Sequence, residues 1–427
     1  MPSSSWNPMR AVEEALEINK KLVQELDTLL SIKEIDVDLT PKDVVYEEDK
    51  LKLYRYRPVS EKIIPVPLLI VYALVNRQYM MDLHTKRSLI QNWLQQGLDV
   101  YIIDWGYPDR SDRYLGMEDY IDGYLNNVVD VVRQRSGVDK INILGVCQGG
   151  TFSIIYSALY PEKIRNLITL VTPFDFSVKD GLLFCWSKYI DVDRFVDAFG
   201  MIQGNYMNMG FLMLKPFQQG LDKYISLLNS GGGDRETVMD FLRMEKWIFD
   251  SPDLTGEFYR KFIKDLFQDN LLIQNKLMLG GRLVDLQKIK MPLLNVIAEH
   301  DHLVPPSSSM PLNKAVASTD TQTILFPGGH IGLFVSSRSR KEMAPAVGNW
   351  ISERSQVENE PQAKPLTAPQ LENEPESKSL TASQPEPLAP QPQAKLLTAP
   401  QLENESQAKS LTAPQPQPKP LTKPRNK

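Results

Sequence analysis

Cysteine and histidine are scarce in this chain, with two of the first (Cys147 and Cys185) and four of the second in 427 residues. So few cysteines exclude a disulfide framework, because a secreted protein held together that way carries more of them. A reducing cytoplasm is the expected setting, and a free thiol is then usable for chemistry. Long hydrophobic runs are missing as well. The longest, Pro65 to Val75, is about half a membrane span, so no transmembrane segment is expected. Met1 to Asn7 lacks the charged-then-apolar pattern of a secretory signal. Nor is there an excess of positive charge: 48 Lys and Arg stand against 53 Asp and Glu, a net charge of -5. With no basic stripe to neutralise phosphates, nucleic acid is excluded as a partner.

The last part of the chain lacks something else. From Ile351 to Lys427 there is no aromatic residue, while Pro361 to Lys427 holds 14 of the 31 prolines. The string QAKPLTAPQLENE from Gln362 returns as QAKLLTAPQLENE from Gln393, a period of 31. Proline every few residues and no recurring large apolar face exclude a solenoid. Too little apolar surface is available to offset chain entropy, so residues 354–427 are expected to be a disordered, proline-rich tail with polyproline II character.

What is present starts with a 42% hydrophobic content, enough for a sizeable core. Between Asn7 and Ile32, Val12, Leu16, Leu22, Leu26, Leu29 and Leu30 recur at helical spacing, so residues 1–40 read as an amphipathic helical segment. Asp43 to Pro58 alternates like a hairpin. Strands then alternate with helices. Strands are predicted at Val66–Val75, Asp99–Trp105, Lys140–Val146, Asn166–Val171, Pro292–Ala298 and Thr323–Phe326, with helices at Leu89–Gln96, Tyr120–Arg135 and Gly149–Leu159. Val66–Val75 is a continuous apolar strand, as in a parallel sheet covered on both faces, and strands alternating with helices indicate a doubly wound sheet. The fold class is therefore α/β, a doubly wound, mostly parallel sheet of the α/β-hydrolase type. Its core comprises residues 41–176 and 286–353. The rhythm stops over 177–285, which is rich in Met and aromatic residues (Met201, Met207, Met209, Phe211, Met213, Phe217, Trp247, Phe249 and Phe258). An insertion there would lie over the strand ends as a helical cap, where ligands bind. Most of these residues are expected to be ordinary core of that cap; together they would make a dry, apolar lid.

The chemistry sits in Gly145-Val146-Cys147-Gln148-Gly149-Gly150, which follows a strand and precedes a helix. This is the G-x-S-x-G nucleophile elbow with sulfur in place of oxygen. A buried structural cysteine would not need that setting. The helix start behind Cys147 favours its thiolate. The fold orders its partners as nucleophile, acid, histidine. Asp301 follows the strand PLLNVIA, and His330 follows TILF in the string PGGHIG. Of the four histidines (His84, His300, His302 and His330), His330 alone follows the last strand. His330 is thus the predicted general base for Cys147, and Asp301 the group that orients it. Backbone N–H groups of Gln148 and of the turn near Val75 or Asn76 would form the oxyanion hole. His302 is expected to stand behind the reacting groups, and His84, beside Asp82, has no assigned role. No metal site is expected, because His300 and His302 have no third ligand at zinc spacing. Cysteine in place of serine suits repeated acyl transfer, since exchange between two thioesters is nearly isoenergetic.

These strings resemble a known family. LLIVYALVNRQYMMDL, DVYIIDWGYPD, NILGVCQGG, LVTPFDF, LRMEKWIFDSPD, DHLVPP and FPGGHIG are similar to the catalytic subunit of class III polyhydroxyalkanoate synthases, across almost all of residues 9–353. Gln148 after Cys147 is similar to class III, where class IV enzymes tend to have Met. The repeat tail is a departure from the family pattern. The resemblance implies an acyltransferase that polymerises (R)-3-hydroxyacyl groups, chiefly 3-hydroxybutyryl, from their CoA thioesters, releasing CoA. It implies a thioester on Cys147, and a role for Asp301, assisted by His330, in activating the 3-hydroxyl that lengthens the chain. It implies no cofactor beyond the CoA thioester itself, a second non-catalytic synthase subunit as partner, and a cytoplasmic location on the surface of polyester granules. Two other readings remain open at this point. One is a cysteine hydrolase or thioesterase of the same fold. The other is a granule-associated structural protein with a dead site, against which the complete Cys147, Asp301 and His330 set argues.

Overall fold

The computed structural model describes residues 31–216, 223–229 and 235–355. Residues 1–30 of the predicted N-terminal helical segment and the tail from residue 356 lie outside the described residues, as does Phe217; of the described residues 31–40 only Ser31 is helical. The eight-stranded sheet comprises β1 (Lys42–Glu48), β2 (Leu51–Tyr56), β3 (Leu68–Val71), β4 (Val100–Asp104), β5 (Ile141–Val146), β6 (Ile164–Leu170), β7 (Leu293–Ala298) and β8 (Thr321–Phe326). They lie in the order β1-β2-β4-β3-β5-β6-β7-β8. Pairs β1–β2 and β2–β4 are antiparallel and the rest parallel. Strands β3, β4 and β5 are buried at every position, as a sheet covered on both faces requires.

Alternation along β3 sorts the side chains to the two faces. Leu68 and Ile70 join a core with Trp93 of α1 (Leu89–Gln95) and with Val347 and Ile351 of α10 (Ala344–Arg354). Leu69 and Val71 join one with Val128 and Val132 of α2 (Asn126–Ser136) and Ile154 of α3 (Gln148–Leu159). Helix α2 ends at Gly137 in the left-handed conformation, the usual C-terminal stop.

Between β6 and β7 the insertion is largely helical. It contains α4 (Leu182–Ser187), α5 (Val192–Phe199), α6 (Gly204–Leu214), α7 (Lys223–Asn229), α8 (Arg235–Phe249) and α9 (Gly256–Lys261). Phe258 and Phe262 carry its packing into the core through edge-to-face contacts with Phe152 of α3. No described helix is long and apolar enough to cross a membrane.

Two sequence expectations change. The first long strand does not run to Val75; it leaves the sheet after Val71. The helix predicted from Tyr120 opens instead with a π-helical stretch, Asp119–Leu125, before α2.

Candidate active site

The turn between β5 and α3 carries Cys147 at φ 52°, ψ -120°, a conformation few non-glycine residues adopt. Strain of this kind persists only where the surroundings hold it. The Cys147 N–H donates to the Leu170 carbonyl at 2.9 Å, and its own carbonyl accepts from the N–H groups of Gly150 at 2.9 Å and Thr151 at 3.4 Å. The elbow also needs bare backbone on either side. A Cβ at Gly145 would lie 2.3 Å from the Gly150 Cα, and one at Gly149 would lie 2.1 Å from the Val71 carbonyl oxygen.

Asp301 and His330 come from the loops after β7 and β8. Backbone bonds from Glu299 to the Phe326 carbonyl and from His300 to the Gly328 carbonyl, both 2.9 Å, bind those loops together. His330 Nδ1 lies 2.6 Å from Asp301 Oδ2. Asp301 Oδ1 accepts the N–H groups of Leu303 at 2.8 Å and Val304 at 2.9 Å. Both carboxylate oxygens are therefore engaged behind the imidazole, and Asp301 and His330 are both buried. Burial acts to lower the His330 pKa. The Asp301 carboxylate and the Cys147 sulfur act the other way and outweigh it, raising the pKa to about 10. Cys147 and His330 line the same cavity, and Asp301 engages the imidazole through Nδ1.

Cys147, His330, Gln148 and Val75 open onto one cavity of about 900 Å3, walled chiefly by apolar side chains such as Tyr72, Met207, Trp247, Phe258 and Ile331. The start of α3 leaves the Gln148 N–H without a helical acceptor. The Gln148 side chain has a separate task, its Oε1 accepting the Leu74 N–H at 3.0 Å. The Val75 N–H has no protein acceptor among the described residues. Gln148 and Val75 thus both line the cavity that holds Cys147.

His302 lines the same cavity rather than standing behind it. Burial, followed by the nearby Lys215, pushes its pKa down. His300 is exposed. His84 is buried away from the thiol, its Nε2 lying 3.0 Å from Asp240 of α8, while Asp82 accepts from Thr40. Among the described residues no group of three His, Cys, Asp or Glu side chains is arranged to hold a metal ion. Of the cap residues singled out in the sequence, Met207, Met209, Phe211, Trp247, Phe249 and Phe258 reach the cavity, whereas Met213 faces outward.

Sequence reasoning missed Tyr72 and the side-chain role of Gln148. Tyr72 lines the same cavity as Cys147, and burial first, the Cys147 sulfur second, push its phenol pKa up. Tyr72 lies inside the apolar string LLIVYALV, where nothing separates a cavity wall from ordinary core.

Residues 66–337 match the family model described as alpha/beta hydrolase fold, which sets the class. Residues 14–94 match the model for the poly-beta-hydroxybutyrate polymerase (PhaC) N-terminus. The chain belongs to the family of poly(3-hydroxyalkanoate) polymerase PhaC subunits: it is 50% identical over 349 residues to the subunit from Allochromatium vinosum, covering 81% of this chain and 98% of that one. It is likewise 50% identical over 352 residues to the subunit from Synechocystis sp., covering 80% of this chain and 93% of that one. Among solved structures it is similar to a monoacylglycerol lipase from Paleococcus ferrophilus, at 14% identity and a TM-score of 0.47, over 71% of this chain and 99% of that one.

Proposed function

We propose that this polymerase subunit transfers (R)-3-hydroxyacyl groups, chiefly 3-hydroxybutyryl, from CoA to a growing polyester through a thioester on Cys147. The carrying observation is a thiol on a strained elbow that shares an apolar cavity with an imidazole backed by a buried carboxylate, in a chain half identical to polymerase subunits. His330 takes the Cys147 proton. The sulfur attacks the acyl carbonyl, the N–H groups of Gln148 and Val75 receive the oxyanion, and the CoA sulfur leaves with the proton from His330. For elongation, His330 takes the proton of a 3-hydroxyl. The alkoxide oxygen attacks an acyl thioester carbonyl, forming the new ester bond and freeing a thiol. Asp301 acts through the imidazole, holding it and raising its basicity.

The steps as written need no group beyond thiol, imidazole, carboxylate and the CoA thioester. A second, non-catalytic synthase subunit and a polyester granule surface in the cytoplasm complete the reading. The test is CoA release and turbidity from 3-hydroxybutyryl-CoA, with and without that subunit co-expressed. Insoluble polyester together with free CoA is expected, and both are expected to vanish in Cys147→Ala. Monomeric 3-hydroxybutyrate in place of polymer would make the protein a thioesterase.

A further inference from the structure

We propose that Asn76 is a positioning residue that couples the seat of cap helix α8 to the placement of the oxyanion donor at Val75, an inference that rests on the acyl-transfer reading above. Asn76 follows Val75 directly and holds a left-handed backbone, φ 60°. Its side-chain Nδ2 donates toward three acceptors at the end of α8: the carbonyls of Trp247 at 3.3 Å and Ile248 at 3.2 Å, and Ser251 Oγ at 2.6 Å. Carbonyls in the last turn of a helix have no partner within it, so a side-chain amide there satisfies a standing need. Ser251 passes the contact on, its Oγ lying 2.9 Å from Asn208 Oδ1 of α6, a residue that lines the cavity.

The same short segment is bound to the cap and to its own strand neighbours by other bonds. Trp247 Nε1 donates to the Arg77 carbonyl at 2.8 Å, and the Arg77 guanidinium donates to Asp104 at 2.7 Å and the Gly106 carbonyl at 3.2 Å. The hydroxyls of Tyr79 and Tyr107 both donate to Asp250, at 2.9 and 2.5 Å. At its other end, Leu74 is held by Gln148, the residue after the nucleophile. Residues 74–79 are thus a strap between the nucleophile helix and the cap. Val75 lies between the two attachments, one residue from each. A donor serves an oxyanion only within about 2.7–3.1 Å of it. A shift of α8 that Asn76 transmits would take Val75 out of that window, so acylation would proceed only with the cap in place.

The test is Asn76→Gly. Glycine keeps the left-handed backbone at no steric cost and deletes only the amide. Removing one oxyanion donor outright costs about a hundredfold to a thousandfold in rate. Misplacing it is expected to slow CoA release in the acylation phase by about tenfold or more, chiefly in kcat rather than KM. Alkylation of Cys147 by iodoacetamide, which builds no oxyanion, is expected to stay within about twofold of the parent rate. Equal losses in both reactions, or no loss in either, would overturn the proposal. Ser251→Ala leaves Asn76 two acceptors and is expected to slow acylation less than Asn76→Gly, again without touching alkylation. An alkylation loss there would also count against it. The parent protein is assayed first, with its second subunit. If it releases no CoA from 3-hydroxybutyryl-CoA, the polymerase reading fails. The strap is then read on acylation by p-nitrophenyl butyrate, which calls on the same donors.

Discussion

In the proposed cycle two protons must leave, and they differ greatly in acidity. A free thiol has a pKa of about 8.5, while an alkanol hydroxyl is far less acidic. The Asp301 contact raises the basicity of His330, and this matters most for the proton that is harder to remove. Asp301→Asn is therefore expected to leave the first burst of CoA release close to the parent rate and to slow chain elongation by an order of magnitude or more. Rapid-quench measurement of CoA against polymer length separates the two. A burst that disappears would mean that Asp301 chiefly holds the imidazole for acylation. The same contact has a thermodynamic side. Folding raises the His330 pKa above its unfolded value of about 6.5. The stabilisation is fully present below that value and is lost as pH climbs through about 10. The urea midpoint is expected to fall between pH 7 and pH 10, and to fall less in His330→Gln. The placement of Cys147, Asp301 and His330 after three strands of the sheet was legible, because the fold imposes that order. The strap was not, since Asn76 finds its partners 171 to 175 residues further along.

Among the elements, the elbow depends on how closely β3, β5 and α3 approach one another. A methyl group at Gly149 would meet the Val71 carbonyl, which is main chain and cannot rotate away. Gly149→Ala is expected to abolish acylation and to lower the melting temperature by several degrees. Gly123 supplies the control. It lies in the π-helical stretch before α2, with nothing within 4 Å of its would-be Cβ. Gly123→Ala is expected to stabilise the fold by about 0.5–1 kcal/mol with activity unchanged. Differential scanning calorimetry of the pair distinguishes tight approach from a general intolerance of added carbon. The central strand β3 was readable from its unbroken apolar run LLIV. The end of β3 was not, because Tyr72 to Val75 remain as apolar as the strand. Outside the sheet, the Leu74 N–H is bound by the Gln148 side chain, which lies on a separate element. The π-helical opening of α2 likewise has no mark in a hydrophobic period that fits either helix.

At the level of the whole molecule, cap and core enclose a cavity far larger than a thiol exchange needs. About 900 Å3 walled by aromatic and aliphatic side chains suits a polyester segment, whose repeat is itself largely apolar. Water is the competitor there. It is a far more abundant nucleophile than the chain-end hydroxyl, so under the proposed thioester route polymer forms only if the acyl-enzyme stays dry. Met207 is suited to a test of this, because it lies half-buried on α6 and its side chain reaches the cavity. An aspartate at that position would bring its own hydration shell to the acyl-enzyme without removing a buried part of the sheet core. Met207→Asp is expected to retain CoA release within a few fold while product shifts from insoluble polyester to free 3-hydroxybutyrate, measured by chromatography of the soluble fraction beside turbidity. Met207→Leu, equally apolar, is expected to keep the parent ratio. An unchanged product ratio in the aspartate variant would mean that the cap does not exclude water at the acyl-enzyme. Partition between polymer and acid would then have to be set by how quickly the next hydroxyl arrives.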